Sequence, residues 1–508
     1  MVEHHRDDPN LRLAGYAELV RRYNLEVVPN RHRSWVATTG THTIHTSGDI
    51  VEEIYPLKYR PGDEVGKHLE FALKYDGVNL GILAALFEAV EEEDILQYVA
   101  SKRTGKYSRR IWYLFELMTS KKLPLDNLSQ GNYVDVLDPD QYYTADPAKK
   151  IQRQRVNDNL LGNHAFCATI RKTETLKQYR QAGLPAQVQN VIAGYSTRQL
   201  KHALSYLYTK ETKSSFEIEQ ETPGAGRTER FVALLHLAET EDFCRKERLI
   251  DLQNRIVDPR FRESDYRSRQ NFIGQTVRMG LERIHFVCPK PEDIHDLMEG
   301  LLECHARLDR SDIEPVLHAA VIAYGFVFLH PFEDGNGRIH RFLIHNILAR
   351  RGFIPPGIMF PVSAAMLNHM NEYDQSLEVF SRNILSLVDY NLEDDGSMSV
   401  YNETAHWYRY MDLTPQAEAL FGFIEKTIET ELVEELEFLA KYDDTKNAIQ
   451  NIVDMPDQNI DLFIRLCIQN QGKLSGRIRE RYFGYLHDDE LVQMEKVVQE
   501  VFIKDADG

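Results

Sequence analysis

Long apolar runs are missing from this chain. The longest, Ala319 to Leu329, falls well short of the ~18 residues that a membrane-spanning helix needs. The first ten residues are polar and carry no apolar signal core, so the expectation is a cytoplasmic chain that enters no membrane. Cysteine is scarce as well. Cys167, Cys244, Cys288, Cys304 and Cys467 are odd in number and scattered, which fits buried free thiols better than disulfides or a metal knuckle. Positive charge is in the minority, 60 Lys and Arg against 78 Asp and Glu, for a net charge of −18. A field of that sign repels phosphate backbones, so broad nucleic-acid binding is disfavoured while a small basic pocket for one nucleotide is not. No Gly-x-x-x-x-Gly-Lys-Ser/Thr loop occurs, and no repeat of solenoid period is present.

At about 100 to 200 residues per domain, 508 residues suggest roughly three folded units. We place them at 1–185, 186–390 and 391–508. Ser34 to Tyr55 is rich in Thr, Val and Ile between glycine turns and reads as a small strand element, whereas helical spacing dominates elsewhere. Helices are expected from His68 to Val90 with a break near Gly77, over Arg110 to Leu117, and over Arg198 to Tyr208. Leu123 to Asn157 reads as loop, and a helical unit runs from Thr414 to about Phe502. His42 and His45 fall on opposite faces of a strand and are set aside as metal ligands. Lys102, Arg103, Lys106, Arg109 and Arg110, like Arg477, Arg479 and Arg481, read as solvated helix faces.

The chemistry concentrates after a helix that starts near Pro315, where Ser311 and Glu314 have the spacing of a capping box. From His318 to Leu329 this helix is apolar on nearly every side, as a central buried helix would be. It runs into His330-Pro331-Phe332-Glu333-Asp334-Gly335-Asn336-Gly337-Arg338-Ile339-His340-Arg341. Gly335, Asn336 and Gly337 tolerate positive φ, so their N–H groups can form an anion-binding nest. A helix from Arg338 to about Arg350 would aim its positive end at the same hollow. At 100° per residue, Arg338, Arg341 and His345 share an arc of roughly 60°, which puts two guanidiniums on the phosphate side. Asp334 is a hard oxygen ligand for Mg²⁺, and His330, with a usual pKa of about 6.5, can take a proton. The residues alone give a metal-nucleotide site.

The twelve residues resemble the signature of the Fic (Fido) family, His-x-Phe-x-Asp/Glu-Gly-Asn-Gly-Arg-x-x-Arg, with every specified position present. The fold this implies is mainly α: a Fic-type helical core with a small β-hairpin flap, flanked by mostly helical N- and C-terminal regions. The implied activity is transfer of AMP from ATP to a Ser, Thr or Tyr hydroxyl of a target protein, with Mg²⁺. By family role His330 would be the general base and Asp334 the metal ligand. Gly335, Asn336, Gly337 and Arg338 would hold the α- and β-phosphates, Arg341 the γ-phosphate, and Phe332 would anchor the loop. The nucleotide-binding run would include Ile339 and His340, and Tyr373, within Phe360 to Phe380, would close the pocket. Asn271, Phe272, Ile273 and Gly274, with the strand around Phe286, resemble the flap that docks the target segment through an exposed strand edge.

Ser214 and Glu217 have capping-box spacing, so a short helix is expected to begin there and to carry Glu219. Ser215 and Glu219 resemble the inhibitory motif Ser/Thr-x-x-x-Glu-Gly/Asn, whose glutamate pairs with the second motif arginine, here Arg341, in place of the γ-phosphate. Gln220 departs from the motif because it takes positive φ less cheaply than Gly or Asn. Some relatives with such a glutamate also remove AMP. Rival readings are transfer of UMP, GMP, phosphoryl or phosphocholine, and a nucleotide-sensing scaffold without turnover. The flanking regions are expected to dock targets or to form a homo-oligomer.

Overall fold

The structure is a computed structural model that describes residues 10–278 and 281–503; the polar start, apart from Asn10, lies outside the described residues. The fold is mainly α with only small sheets. In the N-terminal unit four short strands form a mixed sheet in the order Leu11–Ala14, His32–Ala37, Ile50–Pro56, Thr43–Ser47. Three of them are the β element read from the sequence. The fourth, Leu11–Ala14, is too brief to show a pattern and is fixed by antiparallel pairing with His32–Ala37. His42 pairs with Glu53 just before the strand that carries His45. The break at Gly77 is real: its φ is +86°, and Asn79 then caps the helix Leu80–Ala89 by accepting the N–H of Ile82.

One reading of this unit is corrected. Arg109 and Arg110 are not solvated but buried, 7% and 3% exposed. Their guanidiniums donate to the carbonyls of Asn132, Arg155 and Asp135, so they tie the helix Lys106–Thr119 to the loop-rich stretch beyond it. That stretch is held by a three-stranded sheet of two- and three-residue strands, Val134–Asp135, Val156–Asp158 and Lys149–Ile151.

The elements that position the site are labelled here in chain order: α1 (Thr197–Ile218), α2 (Ala225–Leu237), α3 (Lys246–Ile256), β1 (Phe272–Arg278), β2 (Leu281–Val287), α4 (Pro291–Asp309), α5 (Pro315–Leu329), α6 (Asn336–Arg350), α7 (Val362–Asn368), α8 (Met370–Leu385), α9 (Thr414–Lys426) and α10 (Leu432–Ile452). Every residue of α5 from Val316 to Leu329 is buried, as its unbroken apolar sequence requires, and α4, α6 and α9 pack around it. Each Leu, Val or Phe so buried is worth roughly 1.5–3 kcal/mol. The N-cap is Glu314 rather than Ser311: its carboxylate accepts the N–H groups of Val316 and Leu317 at 3.1 and 3.2 Å. Ser311 instead donates to Leu308 O.

The apolar cluster around α5 runs from Tyr143 to Leu439, so α9 and the first half of α10 belong to it. A second cluster fills the N-terminal unit from Tyr16 to Cys167, and a third, from Ile449 to Val498, fills the C-terminal helices. Between α9 and α10 the helix widens to a π turn at Thr427–Glu431 and continues without interruption. All five cysteines are free and buried. Among the described residues no helix is long and apolar enough to cross a membrane.

Candidate functional site

His330 caps α5 in a left-handed conformation, φ 52° and ψ 58°, because Pro331 cannot continue a helix. Its N–H closes on Phe326 O at 2.9 Å, and Nδ1 lies 3.2 Å from Val327 O. A carbonyl can only accept, so the proton sits on Nδ1 and Nε2 carries the lone pair. Burial pushes the pKa down to about 4, with the Val327 carbonyl opposing and Arg267 adding to the fall. The ring is therefore a neutral acceptor at pH 7, further from its usual 6.5 than the sequence suggests.

The loop is pinned from below. Phe332 is fully buried, and the Asn336 side chain accepts Phe332 N–H at 3.1 Å while donating to Phe332 O at 2.7 Å. Of the three residues expected to take positive φ, only Gly335 does, at +92°. Asn336 and Gly337 already form the first turn of α6, so the anion hollow is a helix N-terminus rather than a nest of alternating handedness. The helix begins two residues earlier than its sequence pattern indicates.

Both motif arginines are buried, and both are held by carboxylates. Arg338 pairs with Asp334 at 2.6 Å and Glu221 at 3.2 Å and stacks over Phe216 at 5.1 Å. Arg341 pairs with Glu219 at 2.8 Å and donates to Ser215 Oγ, Ser215 O and Tyr373 OH at 3.0, 2.6 and 3.3 Å. Burial alone would raise Glu219, yet the charge and hydrogen bond of Arg341, aided by Arg338 and His330, hold it below the usual carboxylate range. His345, on the same arc, is buried and pushed down to about 4 by burial alone.

The segment around Ser214 is corrected by the structure: no helix begins there. Helix α1 runs unbroken through it, starting at a capping box of Ser196 and Gln199, and the amphipathic stretch near Arg198 is its first half. Glu219 is the C-cap, and Gln220 takes φ 57°. Gln220 N–H donates to Glu217 O and Glu221 N–H to Phe216 O, the 5→2 and 6→1 bonds of a Schellman end. This end turns Glu219 and Glu221 toward α6. Gly337 is required opposite them, since a Cβ there would stand 2.1 Å from Glu219 Oε1.

Tyr373 reaches the cluster through the hydrogen bond that its hydroxyl accepts from Arg341. Ile339 and His340 do not: Ile339 is fully buried in the apolar core, and His340 Nδ1 is bound to Ala323 O at 2.8 Å on α5. The hairpin is present, with Phe272 opposite Val287 and a register shift between Ile273 and Gly274. Ile273 is 42% exposed on it, and Asn271 joins it to the loop through Phe332 O. Three site residues gave no sequence signal. Glu221 lacks a motif, Gln253 reaches Asp334 O from α3, and Arg267 is a buried hub. Arg267 donates to His330 O, Arg269 O and Pro289 O at 2.8, 2.8 and 2.6 Å, which joins the histidine to both roots of the hairpin.

One hard carboxylate, Asp334, stands at the positive end of α6 beside Arg338, a donor set that fits Mg²⁺ completed by phosphate oxygens and water. Residues 243–348 match the family model described as Fic/DOC family. The chain is similar to "Protein adenylyltransferase Fic" of Nematostella vectensis, 34% identical over 107 residues, 21% of this chain and 23% of the relative. It is also similar to the protein of that name from Culex quinquefasciatus, 27% identical over 240 residues, 46% of this chain and 43% of the relative. The chain thus spans less than half the length of these curated relatives. Among solved structures, a Fic family protein from Desulfovibrio desulfuricans G20 aligns with 63% of this chain and 84% of its own, at 19% identity and a TM-score of 0.35. Residues 243–348, with the histidine, the loop and both arginines inside them, are a domain of the Fic/DOC family.

Proposed function

We propose that the chain is an autoinhibited protein adenylyltransferase. The target hydroxyl oxygen attacks the α-phosphorus of ATP, the bond to the α–β bridging oxygen breaks, pyrophosphate leaves and the hydroxyl proton passes to His330 Nε2. The observation that carries this reading is the His330 ring: Nδ1 is spent on Val327 O, and Nε2 is a neutral acceptor at the head of the loop that leads into α6. The α6 N-terminus and Arg338 take the α- and β-phosphates, and Arg341 the γ-phosphate, so the protein's share of the work is alignment and charge neutralisation. Mg²⁺ held by Asp334 would draw charge from the phosphate oxygens. Arg267 keeps His330 in register with the hairpin, which offers its open edge to an extended target segment. Glu219 and Ser215 occupy the guanidinium of Arg341, so triphosphate must displace them.

The test is transfer of labelled AMP from ATP to proteins of a lysate. Glu219→Gly should raise it, and His330→Ala in that background should lower it at least ~10²-fold, the usual loss for a general base. Transfer that survives His330→Ala unchanged overturns the mechanism. A mass shift on the modified residue other than that of AMP overturns the choice of group.

A further inference from the structure

Away from the nucleotide cleft, the turn between α2 and α3 brings Asp242 and Cys244 against His305 of α4. One carboxylate oxygen, the sulfur and one imidazole nitrogen lie within 4.8 Å of one another. Cys244 and His305 are 4% and 2% exposed. His305 Nε2 stands 3.3 Å from Asp242 Oδ1 but off the line of a hydrogen bond, so this buried nitrogen has no hydrogen-bond partner. His305 Nδ1, by contrast, is 3.1 Å from His318 Nε2 on α5. A buried, unsatisfied nitrogen aimed at a thiol and a carboxylate calls for an explanation.

We propose that Asp242, Cys244 and His305 bind a divalent cation of the zinc type, with His318 behind them as the residue that orients the His305 ring. A sulfur, nitrogen and oxygen donor set suits Zn²⁺ or Co²⁺ and not Mg²⁺ or Ca²⁺, which prefer oxygen alone. Three protein donors leave a fourth tetrahedral position, and a cavity of about 710 Å³ lined by all three residues gives water access to it. The arrangement of the two histidines is what a metal ligand and its partner need: one ring nitrogen for the ion, the other fixed by a hydrogen bond.

The simpler alternative is a buried ion pair. In it a proton on Nε2 would stand where the ion does, yet the 3.3 Å approach to Asp242 Oδ1 is off the line of a hydrogen bond. His318 Nε2 stands 3.1 Å from His305 Nδ1 and fixes that side of the ring in either state. A divalent ion replaces the proton on Nε2 and any proton on the sulfur, and both leave to solvent. Arg350 and Arg245 each reach the Asp242 carboxylate at 3.4 Å, long for a charge-assisted bond, and Arg350 is shared with Asp309. Asp242 Oδ1 also accepts the Cys244 N–H at 3.0 Å, so the carboxylate would ligate through a lone pair that this bond and the two long arginine contacts leave over.

The full chain, stripped of metal and titrated with Co²⁺, should develop the visible bands of tetrahedral Co²⁺ and a sulfur-to-metal charge-transfer band in the near ultraviolet. Zn²⁺ should bleach both. Cys244→Ser should abolish the charge-transfer band, Cys304→Ser should keep it, and His318→Gln should weaken binding ~10- to 100-fold. Anomalous scattering at the cobalt edge from crystals of the unaltered chain should place the ion between Asp242, Cys244 and His305, a readout that no misfolded variant can confuse. Absence of the charge-transfer band in the unaltered chain, its persistence in Cys244→Ser, or an ion found only elsewhere overturns the proposal.

Discussion

His330 and Gln220 each hold a left-handed backbone, for different reasons. At His330 the conformation ends a helix before a proline and sets the imidazole at the head of the loop, with Nδ1 on Val327 O. With a folded pKa of about 4, the ring stays neutral from about pH 5 upward. Transfer by the Glu219→Gly variant should therefore be flat between pH 6 and 8, and an acid limb near the usual histidine value of about 6.5 would show that burial does not govern the base. The same depression acts on folding. The unfolded chain takes up this proton below about 6.5 and the folded one only near 4, so the contribution to stability is full above about 6.5 and is lost as the pH falls toward 4. At Gln220, φ 57° costs a side chain what glycine avoids. Gln220→Gly should stabilise the chain by ~0.5–1 kcal/mol in chemical denaturation, and a loss of stability would mean that the Schellman end does not persist in solution.

Between elements, the decisive contact is the C-terminus of α1 against the N-terminus of α6. Two carboxylates, Glu219 and Glu221, meet two guanidiniums, and Gly337 lets them approach. Gly337→Ala should destabilise the chain by ~1–3 kcal/mol through the clash with Glu219. Most of that cost should vanish in the Glu219→Gly background, since the added methyl then meets Arg341 Nη1 at 3.4 Å, an ordinary van der Waals contact. A double-mutant cycle measures this coupling, and additive costs would remove Glu219 from the contact. Glu221→Gln, by freeing one partner of Arg338, should raise transfer by less than Glu219→Gly does, because Asp334 still holds that guanidinium.

Over the whole molecule, the C-terminal region divides in its effect on the site. Helix α10 lies along α1, and Lys210 with Glu431 at 2.9 Å and His202 with Asp443 at 2.8 Å fasten the pair. Leu436 belongs to the apolar cluster around α5, while Phe463 belongs to the separate C-terminal cluster. Leu436→Ala should cost ~2–5 kcal/mol and, by loosening α1, raise basal AMP transfer. Phe463→Ala should cost ~3–5 kcal/mol in thermal unfolding of the C-terminal helices and leave transfer unchanged. Equal effects of the two on transfer would contradict the bracing of α1 by α10.

The loop from His330 to Arg341 is legible in the sequence because its parts are neighbours along the chain: an all-apolar helix, a proline that ends it, a glycine at the turn and arginines at helical spacing need no distant partner to be recognised. The small β element and the helical C-terminal run are legible for the same reason, by local periodicity. The start of a helix at Ser214 is misread because serine and glutamate three apart resemble a cap, whereas packing of Leu207, Tyr208 and Phe216 carries α1 straight through and leaves Ser215 facing Arg341. Burial of Arg109 and Arg110, the Arg267 hub, the Glu221 contact and the meeting of Cys244 with His305 involve residues far apart in sequence. Nothing local marks them, since each depends on which desolvated charge or donor the packed helices bring against it.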